Sequence, residues 1–428
     1  MLENIKISTL DNGCRIVTSS LPGIESVAVG IFTGVGSRYE TSRQAGHSHF
    51  LEHMLFKGSA KRTARAISRD IEGRGGNVNA YTNFESTAYY ASVPAAAVST
   101  ALDVLGDMYV APKLSSDDVN KERAVIMEEM SMYHDQPDSF AMELSQRSLW
   151  TSHPLGGEVI GNAKSLSGTT SESLAEFHGT NYNTASTVIA AAGKVDHEAF
   201  VSKANKYACR IPAGKINKFK RVTKSTARTQ LLADLRETEQ VNAVIAFRST
   251  GRHDPRRHIV NILNVILGGN MSSRLFQVVR EKHGLAYSVA SFPRFYNDTG
   301  SFHVVAGLDR TRSVKGLSLC AGELAKLAAK TVSRAELSRA VDYLVGGLQI
   351  GLETARSQMF WIGNGVLSGQ RQTPAEMIAK IRQVTPEDIQ QVAQELFRPE
   401  NVSLALVMPR QSTHTPENHL DAILRCLA

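Results

Sequence analysis

The feature that most constrains this chain is an internal repeat: two stretches, offset by about 210 residues, run through the same order of patterns. In the first half, SVAVGIFTGVGSRYE (residues 26–40) reads as an apolar strand entering a polar turn, and NAVIAFRSTGRHDPR (residues 242–256) reads the same way in the second. An apolar helix follows each, HSHFLEHMLFKG (47–58) and HIVNILNVILGG (258–269). Each half then carries a helix ending in glycine and a strand pair, in RDIEGRGGNVNAYTNFESTAYYASV (69–93) and QVVREKHGLAYSVASFPRFYNDTGSFHVVAGL (277–308). Long helical stretches come next, ALDVLGDMYV (101–110) and LCAGELAKLAAK (319–330).

Strand alternation at period two beside helical periodicity near 3.6 makes each half α+β. Segments such as TAYYASV and SFHVVAGL suit antiparallel strands covered on one face. The expectation is two homologous lobes, each an antiparallel-rich sheet covered by helices. The join is expected in PAGKINKFKRVTKS (212–225), where hydrophobicity falls and charge rises, giving a first lobe over 1–215 and a second over 216–428. A length of 428 residues suits roughly two to four domains and a core that needs no covalent staples.

The four cysteines, Cys14, Cys209, Cys320 and Cys426, are far apart and form no C-x-x-C pair. They indicate neither a disulfide framework nor a cysteine zinc site, which suits a reducing compartment. The opening MLENIKISTLDNG has no apolar signal core, and no run approaches the ~18 apolar residues a membrane span needs. The expectation is therefore a cytoplasmic protein with no membrane partner. The net charge of +7 is spread along the chain, and its densest run, KINKFKRVTK, has Phe219 as its one aromatic, so no nucleic-acid partner is expected.

The sequence His49-Phe50-Leu51-Glu52-His53 is H-x-x-E-H. On a helix, positions four apart share a face, so the two imidazoles can converge on one metal ion. Glu52 leans to the same side without being a ligand, where a carboxylate can take a proton from an attacking water. The order is the reverse of the H-E-x-x-H zinc helix. The surrounding residues, Phe50, Leu51, Met54, Leu55 and Phe56, are apolar, and buried polar side chains among them need partners. A catalytic zinc usually has a third protein ligand. The acidic helix KERAVIMEEMSMY (121–133) is the best source. Glu122 and Glu129 are seven apart and nearly share a face, while Glu128 points about 100° from Glu129. Periodicity leaves the choice among the three open.

GHSHFLEHMLFKG, GGNVNAYTNFESTAYYASV and KERAVIMEEMSMYHDQPD resemble the pitrilysin-type inverted-zincin metallopeptidases. The likeness continues through GNAKSLSG, VIAAAGKVDHE and MSSRLFQVVREKHGLAYSV, over nearly the whole chain, and its length is most similar to the bacterial mitochondrial-processing-peptidase-like branch. The resemblance implies a zinc-dependent endopeptidase with one Zn2+ per chain held by His49, His53 and Glu129. It makes Glu52 the base and Glu122 a carboxylate behind a ligand. It also assigns Arg280 and Tyr287 to substrate and oxyanion contacts, and Asn79, Ala80 and Tyr81 to a substrate-binding edge strand. It implies a homodimer that admits unstructured peptides to a clam-like chamber. His47 and Ser139 depart from the family pattern. His47 lies about 200° round the helix from His49 and is not expected to be a ligand. Ser139, replacing an acid common in relatives, weakens any expected preference for arginine near the cleavage site. The alternative is a catalytically silent partner or peptide-binding subunit of the same fold.

Overall fold

The computed structural model describes residues 5–223, 228–370 and 372–428, so the last two residues of the expected join, Lys224 and Ser225, lie outside the described residues. The first sheet contains β1 (Ile5–Thr9), β2 (Arg15–Ser20), β3 (Ser26–Thr33), β4 (Asn77–Thr82), β5 (Thr87–Pro94) and β6 (Thr187–Gly193), in the order β1-β2-β6-β3-β5-β4. The second contains β7 (Gln230–Arg236), β8 (Gln240–Ser249), β9 (Ala286–Phe295), β10 (Gly300–Asp309) and β11 (Ser403–Pro409), in the order β7-β11-β8-β10-β9.

Strand for strand, β2-β6-β3-β5-β4 matches β7-β11-β8-β10-β9. In both sheets the first of these pairs is parallel and the others antiparallel. The repeat read from the sequence is thus a repeat of topology, with β1 added at one edge of the first sheet.

The chain divides into two compact units that each take a segment from the other half. One comprises Met1–Met130, Gly157–Lys220 and Leu348–Pro374; the other comprises Ser131–Gly156, Arg221–Gly347 and Ala375–Ala428. The exchange explains a departure from one-face coverage. β3 is buried at every position after Ser26. Its Val27, Val29 and Ile31 pack with Phe50, Leu51, Met54 and Leu55 of α1 (His47–Leu55), Ile67 and Ile71 of α2 (Ala64–Glu72), and Leu102 and Leu105 of α3 (Val98–Val110). On the other face, Ala28 and Phe32 meet Met359, Ile362 and Val366 of the helix Ala355–Leu367. The approach is close enough to require Gly363, where a Cβ would sit 2.4 Å from the Phe32 ring. In the second unit, the corresponding helix is α5 (Pro137–Leu149), packed on β7, β8 and β11. No helix among the described residues is long and apolar enough to cross a membrane.

Two local features aim the site. On α1, Phe50, Leu51, Met54 and Leu55 are buried, which leaves His49, Glu52 and His53 half-buried on the opposite side. On α4 (Ser116–Asp135), Val119, Glu122 and Ile126 form the buried stripe, and that stripe fixes the rotational phase of the acids further along. The capping hydroxyl of α4 belongs to Ser115 and accepts from the Asp118 amide at 3.3 Å.

Candidate metal centre

His49 and His53 lie one turn apart on the half-buried face of α1, with ring centroids 4.6 Å apart. Glu129 of α4 comes to meet them. Its Oε2 lies 3.5 Å from His53 Nε2 and 3.9 Å from His49 Nε2. One donor atom from each of the three residues lies within 4.8 Å of the others. Two donors each ~2.1 Å from a tetrahedral ion lie about 3.4 Å apart, so this spacing fits a zinc ion with little adjustment. Two imidazoles and one carboxylate are also a donor set that zinc accepts. The three side chains are 14%, 22% and 24% exposed, which leaves a way in.

Glu122 stands behind the donors. Its Oε1 accepts from His53 Nδ1 at 2.9 Å, and Lys57 Nζ donates to its Oε2 at 2.5 Å. The Nδ1 bond leaves Nε2 as the free donor, facing Glu129. Glu128 is exposed and lies outside the His49, His53 and Glu129 cluster. His47 is buried edge-on against Phe177 and outside the cluster.

The electrostatics separate the roles. Burial, reinforced by the charge of His53, holds His49 down to about 4, so its ring is neutral and able to donate a lone pair at neutral pH. Burial works to lower His53 as well, but the Glu122 hydrogen bond and the neighbouring carboxylates outweigh it and raise the ring above its ordinary value. Glu122 is the converse: burial raises it, yet His53 and Lys57 bring it below the usual carboxylate range. Burial lifts Glu52 above that range, opposed by a hydrogen bond from Thr82 at the end of β4. A carboxylate beside the donor cluster is placed to accept a proton.

Two contributors escape a reading by motif. Lys57 continues the spacing of His49 and His53 by one more turn, and that spacing was a signal for it. Thr82 reaches Glu52 only because β4 folds beside α1, and nothing local announces it.

Asn79, Ala80 and Tyr81 lie on β4, the terminal strand of its sheet, so its outer backbone edge faces no further strand among the described residues. Arg280 and Tyr287 belong to the second unit. Arg280 lies on the π-helical turn Phe276–Lys282, exposed, with its guanidinium 4.8 Å from the Phe276 ring centroid. Tyr287 is the extra residue of a bulge in β9, between Ala286 opposite Leu308 and Ser288 opposite Gly307. It is 78% exposed. Bulges re-aim side chains and π-turns often mark functional positions.

Comparisons with known proteins point to one family. Residues 15–163 match the family described as insulinase (peptidase family M16), and residues 169–344 match the peptidase M16 inactive domain. An uncharacterized zinc protease of Streptomyces coelicolor is 36% identical over 99% of this chain and 93% of its own length. An uncharacterized zinc protease of Bacillus subtilis is 35% identical over 95% of this chain and 98% of its own. Among solved structures, a protease from Helicobacter pylori shares the fold with a TM-score of 0.89 at 20% identity, covering 96% of this chain and 100% of that one. The peptidase M16 inactive domain from Pseudomonas fluorescens follows at 0.87 and 19% identity, covering 96% and 100%.

Proposed function

The chain belongs to the M16, insulinase-type peptidase family, and from that premise we propose that it is a zinc-dependent endopeptidase acting on extended, unstructured peptides. The observation that carries the reading is the convergence of His49, His53 and Glu129 beside Glu52. His49, His53 and Glu129 would hold the ion. Bound zinc supplies Lewis acidity, polarising the scissile carbonyl and acidifying water. Glu52 accepts the proton of the attacking water and returns it to the leaving amine. Glu122 orients His53, with Lys57 holding Glu122 in turn. Tyr287 donates its hydroxyl to the developing oxyanion, and Arg280 holds the substrate backbone.

The peptide adds along the outer edge of β4, where main-chain hydrogen bonds from the strand around Asn79, Ala80 and Tyr81 bind it without demanding a particular side chain. The active form in this reading is a homodimer whose enclosure admits unfolded chains and rejects folded ones.

The reading is tested with quenched extended peptides and the purified chain. Hydrolysis should stop on chelation and return with one equivalent of zinc. Cleavage that survives complete removal of metal overturns it.

A further inference from the structure

We propose that Glu40 is a positioning residue for the metal helix: its carboxylate holds the first amides of α1 and so sets where His49 and His53 stand. This rests on the zinc-peptidase reading above but concerns a residue outside the donor set.

The helix α1 begins without a cap of its own. The position before it is Gly46, left-handed at φ 91° and ψ −4°, with no side chain to accept a helix amide. No larger residue can replace it, because a Cβ there would sit 2.5 Å from the Ile160 carbonyl oxygen. Glu40 supplies the missing acceptor from upstream. The Gly46 amide donates to Oε2 at 2.7 Å, and the Ser48 amide donates to Oε1 at 2.6 Å. Both oxygens accept at the positive end of the helix dipole, an arrangement that favours the carboxylate form. The second of these amides belongs to the residue immediately before His49.

Glu40 is itself held. It follows the turn Ser37–Tyr39, whose Ser37 and Arg38 amides donate to the Asn83 and Phe84 carbonyls at 3.2 and 2.9 Å. Arg38, 1% exposed, donates to Glu85 at 2.6 Å and to the Lys220 carbonyl at 3.1 Å. The loop between β4 and β5 therefore braces the turn, the turn carries Glu40, and Glu40 sets the start of the helix that presents the histidines. Burial pushes the Glu40 carboxyl up to about 7. A surface cap would avoid that desolvation, so the arrangement gives up electrostatic comfort for a fixed buried seat.

The test uses the full chain as wild type, Glu40→Gln and Glu40→Asp. Zinc dissociation constants come from competition with a chelating dye, kcat and KM from a quenched peptide at saturating zinc, and fold integrity from thermal unfolding of the metal-free proteins. Glu40→Gln keeps the size but turns an amide NH2 toward a backbone donor. It should weaken zinc binding roughly tenfold, as lost support behind a ligand does. It should also lower kcat while KM stays within about twofold, because α1 and not the substrate edge is displaced. Glu40→Asp keeps the charge but reaches only one amide, and should fall between. If folded Glu40→Gln binds zinc and turns over as wild type does, with only its unfolding midpoint lowered, Glu40 merely caps a helix and the proposal is overturned. Should the Gln variant not fold, wild-type zinc affinity and kcat in Glu40→Asp overturn it equally. Wild-type chain that takes up no zinc is a separate failure, which removes the peptidase reading and this inference with it.

Discussion

His53 illustrates how little freedom the donors have. One ring nitrogen is committed to Glu122 at 2.9 Å, the other faces Glu129, and Lys57 closes the line behind Glu122. Replacing Glu122 by Gln should therefore weaken zinc binding by about 10–100-fold while leaving the donor set intact, as measured by dye competition. His53→Ala should lose stoichiometric zinc altogether; retention of one zinc per chain in that variant contradicts the assignment. At this scale the sequence was legible where spacing alone decides. His49 and His53 are one turn apart, and a turn is the same in every helix. The choice among Glu122, Glu128 and Glu129 was not legible from spacing, because it depends on the rotational phase of α4. That phase is set by how Val119 and Ile126 bury themselves, a tertiary event. Thr82 was invisible for the same reason.

At the scale of the element, the strand patterns were read well in extent and less well in environment. TAYYASV and SFHVVAGL are strands as expected, but SFHVVAGL is buried on both faces rather than one, as is the apolar run of β3. A continuous run of that kind signals double coverage. What it cannot say is which helix does the covering, and here that is Ala355–Leu367, from far along the chain. Met359→Ala, which empties part of that layer, should cost about 2–5 kcal/mol in urea unfolding. A loss under about 0.5 kcal/mol would mean that the helix does not seal the sheet. The bulge in β9 makes a second element-scale prediction. Tyr287 has no strand partner and stands 78% exposed, so Tyr287→Phe should leave the unfolding midpoint unchanged. If its hydroxyl serves the oxyanion, kcat should drop by roughly 10²-fold.

At the scale of the whole molecule, two sheets of matching order and pairing sense carry unequal chemistry. The helix Arg257–Leu267 occupies the place of α1 in the second half, yet it has His258 alone, buried, and no second histidine. The duplication was legible because it repeats a whole order of elements. The exchange of segments between units was not, since residues 131–156 and 348–374 look locally like ordinary helices of their own halves. The proposed homodimer belongs to this scale. Sedimentation should find twice the chain mass, and mixing Glu52→Gln with Tyr287→Phe chains should restore activity if subunits complement each other. A monomer at working concentration contradicts the dimer.

The central claim is that a metal gripped by His49, His53 and Glu129 works with Glu52 as the base. Its most direct test is to measure zinc content and peptide hydrolysis side by side in wild type and Glu52→Gln. Both proteins should hold one zinc per chain, with hydrolysis reduced by roughly 10³-fold in the variant, the scale of a lost general base. Equal hydrolysis by the two proteins, or a wild type that cleaves peptides without zinc, would contradict it.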